Sequence, residues 1–220
     1  MYIVGGHISE VQNERRCAGM SYTSLWKIDK NWNGKEHTTY ANSYLFPPVV
    51  WDILMCKYIK PDERTDFRVE TNYLYWLVFC SEDEQKRRHS MLNERINNSD
   101  IQYDRVLWEL SNLSVFNAKD KEFVADCIEK FVKNNFANTK YKDSEHIKER
   151  FYEIAKDIRE LPEKCKYFVI HANSCDDNVE WWFNNHRLSF WDKFVCEFTL
   201  IENNKVIGFS NNLKMCKGGE

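Results

Sequence analysis

The sequence predicts an α+β fold: a helix-rich N-terminal and central part packed with a small antiparallel sheet formed mainly by the C-terminal third. Three observations lead there. Apolar residues recur at helical spacing in several runs through residues 47–161. After Pro162 the character changes to β-branched and aromatic runs, CKYFVIHA, FVCEFTLI and KVIGFS, the last two joined by Asn203 and Asn204 as in a hairpin. Hydrophobic residues make up 43% of the chain and charged ones 30%, which places it with chains that bury a core rather than with disordered ones.

From Ser21 onward the stretch SYTSLWKI alternates loosely and is expected to be a strand, followed by a loop around residues 31–42. Pro47 and Pro48 suit a first helical turn, and Val50, Leu54 and Tyr58 recur every four residues behind them, predicting a helix. Residues 67–80 are aromatic and β-branched enough for a buried strand, although periodicity alone leaves a buried helix open. Ser81 followed by Glu84 has the form of a capping box and predicts a helix to about residue 97. Within it, Lys86, Arg87 and Arg88 each follow an acidic residue by four positions, which predicts a solvated, ion-paired face rather than a nucleic-acid patch. Helices are expected at 103–116, with Val106, Leu107, Leu110 and Leu113 on one face, and at 119–135, with Phe123, Val124, Cys127, Ile128, Phe131 and Val132 on another. A last helix runs from a cap at Asp143 or Ser144 to Leu161, with Ile147, Phe151, Ile154, Ala155 and Ile158 inward.

Residues 20–220 read as a single α+β domain, helical over 47–161 and mostly β over 165–210. Residues 1–19 hold three of the seven glycines without sustained periodicity and are expected to be a disordered leader outside the fold. Glu14, Arg15 and Arg16, if encoded GAG-AGG-AGG, would form a ribosome-binding sequence upstream of a native start at Met20.

Composition excludes several functions. A net charge of -3 supplies no overall basic field, so general nucleic-acid binding is not expected. The longest apolar stretch, YLYWLVFC at 73–80, falls short of the ~20 residues of a membrane helix. No basic segment followed by an apolar run opens the chain, and the eight cysteines are scattered without a C-x-x-C pair. Reduced thiols in a cytoplasm are the expectation. Only Gly34 and Gly208 lie between Met20 and Lys217, so the glycine-rich loops that cradle phosphates in P-loop and Rossmann proteins are absent. Asparagine comes in five adjacent pairs, suited to turns and helix ends, and with the many lysines and isoleucines suggests an AT-rich bacterial or phage genome.

The densest chemistry lies in NSCDDNVEWWFNNH, residues 173–186, and its continuation to 191. Asp176, Asp177 and Glu180 are hard oxygen ligands that could converge on Mg²⁺ or Mn²⁺, with His171 or His186 as general base of a metal-dependent hydrolase. Cys165, His171, Cys175 and His186 have zinc-ligand chemistry, but their spacing fits no standard pairing, and Cys175 as a nucleophile would sit beside acidic residues that raise its pKa. Trp181 and Trp182 would face opposite sides of a strand, so one of them needs a second cover, and Phe190 with Trp191 repeats the problem. A non-enzymatic interaction protein is the leading expectation, of the inhibitor or immunity type. It would hold a macromolecular partner, a protein with a basic and partly apolar face, through Asp176, Asp177, Glu180, Trp181, Trp182, Phe190 and Trp191. No cofactor and no metal are expected.

Overall fold

The structure is a computed structural model that describes residues 21–30, 34–64, 71–78, 80–112, 114–173, 198–202 and 205–210. Among these residues the strands are β1 (Tyr22–Ile28), β2 (Gly34–Ala41), β3 (Phe116–Asn117), β4 (Tyr167–Asn173), β5 (Phe198–Glu202) and β6 (Lys205–Ser210). The helices are α1 (Pro47–Tyr58), α2 (Tyr73–Val78), α3 (Glu82–Asn97), α4 (Gln102–Ser111), α5 (Lys121–Asn135) and α6 (Glu145–Arg159). The fold class is α+β, as the sequence predicts. An antiparallel sheet runs in the order β2-β1-β4-β3, and β5 and β6 pair antiparallel as a separate two-stranded unit beside β3 and α4.

Half of the strands in the larger sheet come from the N-terminal part. Residues 34–41, expected as loop, form the edge strand β2, with Thr39 opposite Ser24 and Tyr40 opposite Thr23. Its sequence, GKEHTTYA, is polar because an edge strand covered on one side keeps water on the other. The Ser24 hydroxyl, itself buried, donates to Glu36 at 2.9 Å and so links the two strands through side chains as well as backbone. The central ladder aligns β1 with β4 from Tyr22 opposite Asn173 to Ile28 opposite Tyr167.

Residues 73–78 are helical where a strand was the first expectation. The cause is capping: the Asn72 side chain accepts from the Tyr75 N–H at 3.0 Å, and Asp52 of α1 accepts from the Tyr73 N–H at 2.7 Å. In α4 the helix stops at Ser111 and does not reach 116. The Ser111 hydroxyl and the Asn112 amide both donate to the Trp108 carbonyl, competing with the backbone that would extend the helix. Phe116 instead pairs with Phe168 across β3 and β4, the rings stacked at 5.6 Å.

The remaining helices follow their patterns. Ser81 caps α3 by accepting from the Glu84 N–H. The apolar stripes of α5 and α6 are buried against each other, and α5 also packs on α4, with Phe131 and Phe151 stacked 6.2 Å apart and Phe46 and Phe136 closing around Phe151 at 4.8 and 5.3 Å. A second aromatic group, Trp51, Tyr73, Trp76 and Trp108, joins α1, α2 and α4 around Tyr73 at centroid distances of 5.6, 6.1 and 6.2 Å. Such contacts add about 0.5–1.5 kcal/mol each beyond the area they bury. Among the described residues no helix is long and apolar enough to cross a membrane.

Candidate functional site

Helix α1 is buried along all of residues 47–55, yet this run contains one charge, Asp52. A carboxylate in such surroundings is costly unless donors satisfy it. Three do. Besides the Tyr73 N–H on Oδ1, the Tyr141 hydroxyl and the Lys140 ammonium donate to Oδ2 at 2.6 and 2.7 Å. Lys140 also donates to the Thr71 carbonyl at 2.7 Å and stands 5.1 Å from the centre of the Tyr141 ring. Asp52 therefore ties α1 to the start of α2 and to the turn between α5 and α6.

These bonds border a cavity of about 390 Å³, walled by Asp52, Ile53 and Cys56 of α1, by Pro61 and Arg64, by Thr71, and by residues 138–141. Arg64 reaches its wall because a 3-10 turn, Pro61–Glu63, follows α1. Glu63 accepts the Lys60 N–H at 2.9 Å and a two-pronged contact from Arg95 of α3 at 2.6 and 2.7 Å. Arg95 holds the Glu63 carboxyl down to about 2, aided by the Lys60 N–H. The Arg64 guanidinium lies 3.1 Å from the Cys56 thiol. Burial pushes that thiol up and Arg64 pulls it only part of the way back, so it stays protonated near neutral pH and is a poor nucleophile. Burial and the adjacent Asp52 carboxylate likewise raise the Tyr141 hydroxyl, which keeps its proton and donates. The arrangement can hold a small polar molecule, and among the described residues that wall it the Cys56 thiol is not an activated nucleophile.

A second buried carboxylate, Asp104 of α4, lies where α1, α4 and α5 meet. Lys57 and the Tyr58 hydroxyl approach Oδ2 at 2.6 and 2.7 Å, and the Asn135 amide donates to Oδ1 at 2.9 Å. Lys57 also donates to Oδ1 of the Asn135 side chain at 2.9 Å, closing a ring of side chains. Elsewhere a recess of about 330 Å³ carries Lys119, Lys121, Lys166 and Cys165, with the Lys121 ammonium bonded to the Leu161 carbonyl at 2.7 Å.

The residues predicted to bind a partner or a metal, Asp176, Asp177, Glu180, Trp181, Trp182, Phe190 and Trp191, lie outside the described residues, as do Cys175, His186 and the leader at 1–19. Of the zinc-type group, Cys165 and His171 are described. Cys165 is buried just before β4, its thiol donating to the Tyr167 carbonyl at 3.0 Å. His171 stands opposite Ser24, four strand positions beyond Tyr167, or roughly 13 Å along β4. The two cannot share one ion. Among the described residues no group of three or more His, Cys, Asp and Glu side chains could hold a metal.

The basic run on α3 is solvated in part. Lys86 pairs with Glu82 and Arg87 with Glu84, both cations largely in water. Arg88 is not: it bonds Glu84 at 2.8 Å, donates to the Trp76 carbonyl and lies over the Trp76 ring at 5.5 Å. Arg87 takes Glu84 rather than the expected Asp83 as its partner. The cavity around Asp52 was missed in the sequence, although a single carboxylate inside VVWDILM was a visible signal. No family model, no curated protein and no solved structure matches the chain.

Proposed function

We propose that the protein acts by binding a macromolecular partner and not by turning over a substrate. The partner is a protein with a basic, partly apolar face. The contact is made through Asp176, Asp177, Glu180, Trp181, Trp182, Phe190 and Trp191, in the manner of inhibitor or immunity-type proteins of bacteria and phages, in the cytoplasm. The observation behind this reading is the density of tryptophan and carboxylate in residues 176–191. Tryptophan is over-represented among the few residues that dominate binding energy, and a carboxylate rim selects a basic partner and speeds encounter. The frame is consistent with this role. The segment follows directly on β4, whose last residue, Asn173, is paired with Tyr22 in the central ladder, so its root is anchored to the middle of a four-stranded sheet.

The test is a pull-down from lysate of the source organism or its host with the tagged full-length chain, beside a Trp181→Ala, Trp182→Ala variant whose thermal unfolding matches wild type. A stoichiometric protein partner held by the wild type, released by rising salt and lost in the variant is the expected result. Equal capture by both forms, or none by either, would sink the reading. Thermal stabilisation by Mg²⁺ or Mn²⁺ that disappears on Asp176→Ala and Asp177→Ala substitution would replace it with the metal-dependent hydrolase.

A further inference from the structure

The recess of about 330 Å³ at the end of β3 and the start of β4 is assigned no role by the interaction reading, and its whole wall lies in the unbroken described stretch 114–173. One side is Asn117, Ala118, Lys119 and Lys121, where β3 passes through a 3-10 turn, Ala118–Asp120, into α5. The other is Pro162, Glu163, Cys165 and Lys166, the link from α6 to β4. The two sides are pinned together. The Ala118 N–H donates to the Lys166 carbonyl at 3.0 Å and the Lys121 ammonium to the Leu161 carbonyl at 2.7 Å, while a turn closes from the Cys165 N–H to the Pro162 carbonyl at 2.8 Å. The recess is thus shaped before anything enters it. Its charge is not balanced from within. Three lysines line it against one glutamate, a formal charge of +2, and among the described residues no ion pair joins Glu163 or any of these lysines to a partner. Lys121 spends one of its three N–H groups on Leu161, Lys166 stands 5.9 Å from the centre of the Tyr167 ring, and Lys119 and Lys166 are exposed. Oδ1 of Asn117 accepts from the Lys119 N–H at 3.2 Å, so the amide end of that side chain is left as a further donor. Asp120, between Lys119 and Lys121 in sequence, is not part of the wall.

We infer that this recess binds the phosphate group of a small phosphomonoester, with Lys119, Lys121 and Lys166 around the phosphate and Ala118 and Pro162 against the body of the molecule. Ammonium groups act as point charges with rotatable donors and surround a tetrahedral oxyanion without the planar match that a guanidinium needs. A phosphomonoester carries about two negative charges at neutral pH and balances the recess, whereas a carboxylate supplies about one and a diphosphate overshoots. Glu163 repels any additional acidic group and limits the ligand to one phosphate. The volume lies at the lower end of small-molecule sites, so the body is small.

The experiment follows the acetylation of individual lysines in the full-length wild-type protein by an N-hydroxysuccinimide ester, read by peptide mass spectrometry at constant ionic strength. The probes are phenyl phosphate, inorganic phosphate, benzoate and a short single-stranded DNA oligomer without terminal phosphates. Phenyl phosphate near saturation should slow Lys119 and Lys166 about tenfold and leave the exposed Lys133 of α5 unchanged, with the other probes weaker. Calorimetric titration of two variants follows. A Lys119→Met, Lys166→Met double variant should bind phenyl phosphate about tenfold or more weakly, and Glu163→Gln, which removes the one like charge, should bind it at least as tightly as wild type. No protection by phenyl phosphate, equal slowing at Lys133, equal protection by inorganic phosphate or benzoate, or equal or stronger protection by the oligomer would overturn the assignment. Undiminished binding to the double variant or weaker binding to Glu163→Gln would do the same. The wild-type arm stands even if a variant fails to fold, and none of these readouts involves residues 174–191, so this inference and the partner-binding reading fail separately.

Discussion

Asp52 and Asp104 are built from the same parts and do different things. Each is an aspartate on a helix, 4% and 0% exposed, and each receives a lysine, a tyrosine hydroxyl and one further N–H. Around Asp104 all the partners come from packed helices and the ring closes on itself through the contact of Lys57 with Asn135. Around Asp52 the lysine and the tyrosine come from a turn, and the far side opens into a cavity. A buried carboxylate is therefore not a mark of function in itself. What distinguishes the two is whether the charges that balance it leave room for anything else.

That contrast predicts a graded series. Asp104→Ala should cost the most, about 3–5 kcal/mol, because it strips the acceptor from the Tyr58 hydroxyl and the buried Asn135 amide and the counter-charge from Lys57. Urea unfolding would measure it. Asp52→Ala should cost less, about 1–3 kcal/mol, since water in the cavity can take over the exposed side of Lys140 while the Tyr73 N–H loses its acceptor. Should Asp52→Ala prove the more damaging, the distinction between a closed and an open network is wrong.

The tyrosines sharpen the same comparison at a finer level. Tyr58→Phe and Tyr141→Phe each remove one hydroxyl donor from a buried carboxylate and should each cost about 1–3 kcal/mol. A double-mutant cycle of Tyr58 with Asp104 should show strong coupling, and Tyr141 with Asp52 a weaker one.

Acid offers a third approach, through the turn that carries Arg64. The folded value of Glu63, about 2, lies below its ordinary 4.5, so its pairing with Arg95 supports the fold fully above pH 4.5. That support is lost as pH falls from 4.5 through 2. The gap in melting temperature between wild type and Arg95→Met should narrow over that window and stay constant above it. The smallest effects belong to α3. Arg88→Ala should cost about 1 kcal/mol through its contact with Trp76, whereas Lys86→Ala should leave thermal unfolding unchanged.

Where an element is stabilised by its own sequence, it could be read from the chain. The stripes of α5 and α6 and the Ser81 cap of α3 are local, and their positions followed from spacing alone. Elements set by contacts distant in sequence could not be read so directly. Helix α2 depends on an acceptor in α1, β2 is an edge strand whose polar residues resemble a loop, and the end of α4 is decided by side chains competing for one carbonyl. The candidate site follows the same rule. Asp52 was visible as a charge in an apolar run, but nothing in the chain indicated that Lys140 and Tyr141 would meet it. The acidic and aromatic residues of 174–191 stood out by composition, the one property that needs no partner to be seen.

The central ladder has a consequence for how the protein is made. Strand β1 lies near the beginning of the chain, and its neighbour β4 is synthesised only after the six described helices have been made. The β1–β2 hairpin must wait beside the growing helical part with the inner edge of β1 unpaired, because contacts so far apart in sequence form late. A ribosome that stalls before residue 167 would release a chain with a complete set of helices and an unpaired inner strand, the kind of species that chaperones retain. Synonymous slow codons placed far enough after residue 173 for β4 to have cleared the exit tunnel, by granting it time to dock on β1, should raise the yield of folded protein.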